Sequence, residues 1–131
     1  MSDVNWVEIL GWGKGEIADL RYVAYAYAKQ GVYDIALTLF EAIVVLSPPT
    51  AYDFQTMGAL HLQLGNGLRA LEFLDRALKM EPAHIATQMN RAKALFMLGY
   101  KRQGLLQAAE LEKSSDPETA SAASALILAY K

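Results

Sequence analysis

Residues 20–46 read LRYVAYAYAKQGVYDIALTLFEAIVVL, which is two helix-forming runs separated by a glycine. The first run carries a small residue at Ala24 and the second carries one at Ala36, where two antiparallel helices would cross closely. Gly31 stands where the first run ends, and glycine adopts the left-handed conformation that terminates a helix without a steric penalty. The stretch therefore predicts a hairpin of two tightly packed helices.

The features of this hairpin recur along the chain at intervals of 34 residues. The matching positions are Ala24, Gly58 and Ala92; Gly31, Gly65 and Gly99; Ala36, Ala70 and Gly104; and Pro48 and Pro82, with Pro117 one residue late. A period of 34 residues is typical of the tetratricopeptide repeat, a unit of two helices. We therefore predict an all-α fold, a right-handed superhelix of three tetratricopeptide hairpins.

The repeats and their flanks account for the whole chain as one domain, 1–131. The repeats are predicted at about 17–50, 51–84 and 85–118, after a short N-terminal helix at 3–10. A C-terminal capping helix is predicted at about 117–130, because Asp116 is a favourable N-cap and Pro117 a favourable first helical residue. Such arrays need a terminal helix to cover the open edge of the core. The end of this helix, 125–130, is more apolar than a cap requires.

Composition excludes several classes of function. The net charge is −2 and the basic residues are scattered, so we expect neither a nucleic acid nor a membrane as partner. The chain has no cysteine, which excludes disulfides, thiolate metal sites and cysteine nucleophiles. The first residues lack the basic start and apolar run of a signal peptide, so the sequence predicts a cytoplasmic protein.

Catalytic and cofactor motifs are also missing. The two histidines, His61 and His84, are not spaced as a metal pair, and His61 falls on a core-facing position. The glycine-rich run 11–15 lacks the Gly-Lys-Ser/Thr ending and the preceding strand of a phosphate loop, so a hinge is the better interpretation. The sequence predicts no enzyme, no cofactor and no metal.

A partner surface is predicted on the concave side, which the first helix of each repeat lines. The residues predicted there are Arg21, Tyr22, Tyr25, Ala28, Gln55, Ala59, Leu62, Met89, Lys93, Phe96 and Met97. Exposed apolar side chains on such a surface indicate a protein partner, either an apolar helix or an extended segment. Tyr25 and Phe96 are the expected aromatic anchors, unless these side chains pack beneath a terminal helix.

The residues of this surface argue against one class of ligand, the acidic peptide tail with a free carboxylate. The clamp of Lys and Asn with which other tetratricopeptide domains hold acidic chaperone tails is matched only remotely, by Asn90 and Lys93. A free carboxylate is therefore not the expected ligand. Trp6, Trp12 and the apolar C-terminal helix further predict a homodimer when no client is bound.

Three stretches, 20–46, 52–82 and 90–99, resemble the repeats of bacterial type III secretion chaperones. The resemblance implies a protein that keeps an exported subunit from assembling in the bacterial cytoplasm. The client would be a pore-forming translocator or, in a smaller branch that works with a small helical co-chaperone, the needle subunit. The chain departs from the translocator branch in lacking a long N-terminal helical extension and in carrying Arg91-Ala92-Lys93. Both branches stay open, and the alternative is a general scaffold that joins folded partners.

Overall fold

The structure is a computed structural model, and it describes residues 10–131. Those residues contain seven helices and no strand: α1 (Lys14–Lys29), α2 (Tyr33–Leu46), α3 (Ala51–Gln63), α4 (Gly67–Met80), α5 (Ile85–Met97), α6 (Lys101–Glu112) and α7 (Pro117–Tyr130). The N-terminal helix predicted at 3–10 lies outside the described residues, apart from Leu10.

The helices pair as three stacked hairpins, α1/α2, α3/α4 and α5/α6. Each helix packs on the next one; in addition, the first helices of the second and third hairpins touch, α3 on α5, and α5 also touches the last helix, α7. The all-helical superhelix predicted from the 34-residue period is confirmed. Within the described part of the chain, no helix is both long enough and apolar enough to cross a membrane.

The turns inside the hairpins share one geometry. Gly31, Gly65 and Gly99 have φ angles of 82°, 80° and 83°. After each glycine, a backbone N–H reaches back to a carbonyl five residues earlier, as Val32 does to Tyr27 at 3.0 Å. The recurring glycines therefore end the first helices in the left-handed conformation, as the sequence predicts.

The small residues mark real close approaches between paired helices. A Cβ atom built on Gly58 would lie 2.6 Å from Leu74 Cδ2, and one built on Gly104 would lie 2.8 Å from the ring of Phe96. In the first hairpin, Ala24 and Ala36 are fully buried. At Gly58 and Gly104, glycine lowers the helix propensity, but the missing Cβ allows the paired helix to approach.

A histidine lies in the core between α3 and α4. His61 is only 7% exposed, and its ring stacks on Phe73 with centroids 5.5 Å apart and planes 3° apart. Its Nε2 atom has no hydrogen-bond partner among the described residues. Burial, assisted by the nearby positive charge of Arg69, lowers the pKa of His61, so the neutral ring is the packed form.

A buried ion pair joins the first two hairpins. Arg21 on α1 donates from Nε and Nη2 to the two carboxylate oxygens of Asp53 on α3, at 2.8 and 2.9 Å. Asp53 is fully buried and also accepts a hydrogen bond from the backbone N–H of Thr50 at 3.0 Å. Burial alone would raise the pKa of Asp53, but the bonds from Arg21 and Thr50 outweigh it and hold this pKa below its usual value.

The last helix begins as predicted from its capping residues. The Asp116 carboxylate accepts a hydrogen bond from the backbone N–H of Thr119 at 3.2 Å, and Pro117 is the first helical residue. Helix α7 packs mainly on α6 and also touches α5. It therefore covers the third hairpin, and its C-terminal end reaches the inner side of the superhelix.

Candidate functional site

The inner side of the superhelix is a groove made of two adjoining cavities. The first cavity, of about 450 Å³, is lined by Tyr25, Ala28, Lys29, Tyr52, Gln55, Thr56, Ala59, His84, Ala86, Thr87 and Asn90. The second, of about 430 Å³, is lined by Ala59, Leu62, Gln63, Asn90, Lys93, Met97, Leu126 and Tyr130. Because Ala59 and Asn90 border both cavities, they form one continuous surface, which we call the concave groove.

Two tyrosines form the aromatic part of the first cavity. Tyr25 on α1 is 43% exposed and Tyr52 on α3 is 41% exposed. The Lys29 ammonium lies 5.7 Å from the centre of the Tyr25 ring, within the range of a cation–π contact. Burial raises the pKa of Tyr52, so its hydroxyl is a neutral donor at physiological pH. This cavity offers aromatic faces with hydroxyl groups at their edges.

The polar side chains of the first cavity belong to fixed local structure. Gln55 donates from its amide to the Glu81 carboxylate at 3.0 Å. His84 caps α5, because its Nδ1 accepts from the backbone N–H of Thr87 at 3.3 Å. These bonds hold the Gln55 and His84 side chains in place at the cavity wall.

The second cavity has an apolar floor made by three helices. Leu62 comes from α3, Met97 from α5, and Leu126 and Tyr130 from α7. The Tyr130 ring stacks on Phe96 with centroids 4.2 Å apart and planes 5° apart. This stacking holds Tyr130 against α5, so α7 contributes one wall of the cavity.

Seven of the predicted groove residues line the concave groove. They are Tyr25, Ala28, Gln55, Ala59, Leu62, Lys93 and Met97. Four others do not border either cavity: Arg21, Tyr22, Met89 and Phe96. The structure thus brings together most of the predicted surface, while binding itself stays a prediction.

The largest departure from the expectation concerns Phe96. The sequence predicts it as an exposed aromatic anchor, but it is buried, with only 6% exposed. Its place along α5 corresponds to that of Leu62 along α3, yet Tyr130 covers it from α7. Phe96 instead packs beneath the terminal helix α7, which was the alternative to exposure in the groove.

The other three residues lie outside the concave groove, each in a different place. Arg21 is turned to Asp53 and borders a separate surface cavity near the start of α1. Tyr22 is 74% exposed on open surface, and Met89 is half-buried outside both cavities.

Several lining residues were missed, and most follow one pattern. Thr56 and Asn90 lie one residue after the predicted Gln55 and Met89, which places the groove face slightly further around α3 and α5. Tyr52 lies on that same face. Leu126 and Tyr130 come from the capping helix, and the only sequence signal for them was its unusually apolar end.

The described residues contain no group of three or more His, Asp and Glu side chains placed to hold a metal ion. The groove is an apolar and aromatic surface edged with amides, hydroxyls and two lysines. Surfaces of this kind bind polypeptide segments through side-chain pockets and main-chain hydrogen bonds.

Comparison with known proteins gives matches in structure but not in sequence. No family model matches the chain, and no curated protein matches it in sequence. The Yersinia enterocolitica type III secretion chaperone SycD, solved with a peptide of the translocator YopD, is 22% identical with a TM-score of 0.76; the match covers 90% of this chain and 94% of that one.

A second chaperone structure gives a similar result. PcrH from Pseudomonas aeruginosa is 20% identical with a TM-score of 0.73, covering 90% of this chain and 93% of that one. PcrH with the chaperone binding region of PopD is 21% identical with a TM-score of 0.74, covering 92% and 94%. At these identities, the similarity establishes that the fold is shared.

Proposed function

We propose that this chain is a cytoplasmic chaperone of a bacterial type III secretion system, which holds an apolar segment of an exported translocator in the concave groove. The observation that carries the proposal is the preformed groove itself, which is continuous across α1, α3, α5 and α7 and floored by exposed aromatic and aliphatic side chains. A chaperone of this kind performs no chemistry. It acts by covering surface that would otherwise self-associate or enter a membrane before export.

The fold comparison supports the translocator as client over the needle subunit. SycD and PcrH both match over nearly their full solved chains; SycD was solved with a peptide of the translocator YopD, and PcrH with the chaperone binding regions of PopD and PopB. Arg91, a departure from the translocator branch, has a structural role: it pairs with Asp75 at 2.6 Å.

The size of the groove agrees with an extended segment or one face of a helix. Each large apolar side chain that leaves water contributes roughly 1.5–3 kcal/mol before ordering costs are subtracted. Two or three anchors divided between the two cavities supply about 3–9 kcal/mol before those costs, so main-chain hydrogen bonds and further contacts along the groove must add to them to reach micromolar affinity, which corresponds to about 8 kcal/mol. The fixed Phe96–Tyr130 stack lowers the ordering cost on the chaperone side.

The proposal is tested with fluorescent overlapping peptides that cover YopD, PopB and PopD, titrated with the purified chain. We expect a small set of peptides to bind and to lose at least about tenfold in affinity when Tyr25→Glu or Met97→Glu is introduced. These side chains are 43% and 46% exposed, so a charge there should not unfold the chain.

Two exposed apolar residues outside the concave groove provide matched controls. Val45 on α2 and Leu68 on α4 are 62% and 65% exposed, and Val45→Glu and Leu68→Glu should leave binding unchanged. Equal loss in the control and groove variants would assign the effect to net charge. The absence of any binding peptide would reject the proposed function.

A further inference from the structure

The concave groove is chemically asymmetric between its two cavities. The first is lined by Lys29, whose ammonium lies over the Tyr25 ring, and the Glu81 carboxylate lies beside this cavity, where it accepts a hydrogen bond from Gln55 at 3.0 Å. The second is lined by one charged side chain, Lys93, and by no carboxylate. Lys93 is exposed, and the ion pairs found among residues 10–131 do not include it.

The groups beside Lys93 add hydrogen-bond donors to its positive charge. The amides of Asn90 and Gln63 and the hydroxyl of Tyr130 border the same cavity, and each carries a hydrogen-bond donor. The apolar side chains of Leu62, Met97 and Leu126 line the same cavity. The second cavity therefore accepts a large apolar side chain whose neighbour is negatively charged.

The opposite sign is disfavoured at the same place. A lysine or arginine of the client would bring a second positive charge next to Lys93 with no carboxylate lining the cavity to compensate it. The chain as a whole has two more acidic than basic residues, so the positive charge at Lys93 is a local feature of the surface.

We infer that the segment held in the second cavity carries an aspartate or glutamate next to a large apolar anchor, and that Lys93 selects for it. This inference rests on the proposed function and names the class of client segment. The sequence argues against a free carboxylate as the ligand, whereas the carboxylate inferred here belongs to a side chain within the client segment. A clamp of several cations is absent, but one ammonium stands beside an apolar pocket.

Synthetic peptides of about twelve residues, which span about 40 Å when extended, provide the probe. Each carries two leucine anchors in an alanine and serine background, and one position at a time is occupied by Asp, Asn or Lys. We expect Asp to bind about three- to tenfold more tightly than Asn at one or two positions adjacent to an anchor, and Lys to bind more weakly than Asn.

Three variants assign the preference to one side chain. Lys93→Gln should equalise Asp and Asn, and Lys93→Arg should keep the difference. Lys79→Gln on α4, an exposed lysine that borders neither cavity, should leave it intact. Raising the salt from about 0.1 M to about 0.5 M should shrink the preference for Asp without abolishing apolar binding.

The possible outcomes distinguish a failure of this inference from a failure of the proposed function. If the leucine peptides bind with no preference for Asp over Asn, or if the preference survives in Lys93→Gln, the role of Lys93 is overturned while the apolar groove stands. If no peptide binds at any position, the proposed function fails together with the inference.

Discussion

Replacing Gly104 by alanine separates two opposing effects inside helix α6. In a helix with free space around it, glycine to alanine stabilises by about 0.8–1.0 kcal/mol, because alanine loses less backbone entropy on folding. At Gly104, however, the added Cβ would lie 2.8, 2.9 and 3.0 Å from three ring carbons of Phe96. Normal carbon contacts are about 3.5–4.0 Å, so one of the two helices must move.

The ring of Phe96 has little freedom to yield. It is 6% exposed, and Tyr130 stacks on it at 4.2 Å. Overpacking of a well-filled core costs about 1–3 kcal/mol, which exceeds the gain in helix propensity. We therefore expect Gly104→Ala to lower the free energy of unfolding by about 1 kcal/mol and to loosen α7.

Urea unfolding followed by circular dichroism measures this change. Gly15→Ala in α1 is the control, since a Cβ there meets nothing within 4 Å, and it should cause no loss of stability. In a double mutant with Phe96→Leu, which relieves the contact, the two costs should not add, with a coupling of about 0.5 kcal/mol or more. A Gly104→Ala protein that is more stable than the wild type would refute the close approach between α6 and Phe96.

Two further changes probe the buried polar groups. Arg21→Met should lower the free energy of unfolding by about 2–3 kcal/mol, because it leaves Asp53 buried without its cation. In the double mutant Arg21→Met/Asp53→Leu, urea unfolding should show that part of this loss is recovered. Equal stability of the single mutant and the wild type would contradict this expectation. For His61, the folded-state pKa is lowered, so the unfolded chain binds the extra proton and stability is lost as the pH falls below about 6.5. His61→Phe should remove that component, and the stability difference from the wild type, measured between pH 7.5 and pH 5, should grow toward acid; parallel pH profiles would count against a buried neutral ring.

The features that repeat along the chain were predictable because they depend on local geometry. A glycine in the left-handed conformation ends a helix by local geometry alone. Gly31, Gly65 and Gly99 all adopt it, with φ angles that agree within a few degrees. Small residues such as Gly58 are required where the paired helix approaches closely, and the 34-residue period shows where that approach recurs. Seven of the groove residues followed from the same period, since the inner face of each first helix is set by its own hairpin.

The identity of the remaining groove residues was decided by contacts that no repeat encodes. Phe96 and Leu62 occupy equivalent positions, and only the docking of α7 buries one and leaves the other in the groove. Whether Arg21 faces the groove depended on Asp53, which lies 32 residues away on another helix. The sequence by itself determined the hairpins, their turns and their stacking, because those arise between near neighbours. The tertiary structure alone decided which side chains the groove exposes at this end, because that depends on how α7 packs against α5 and α6.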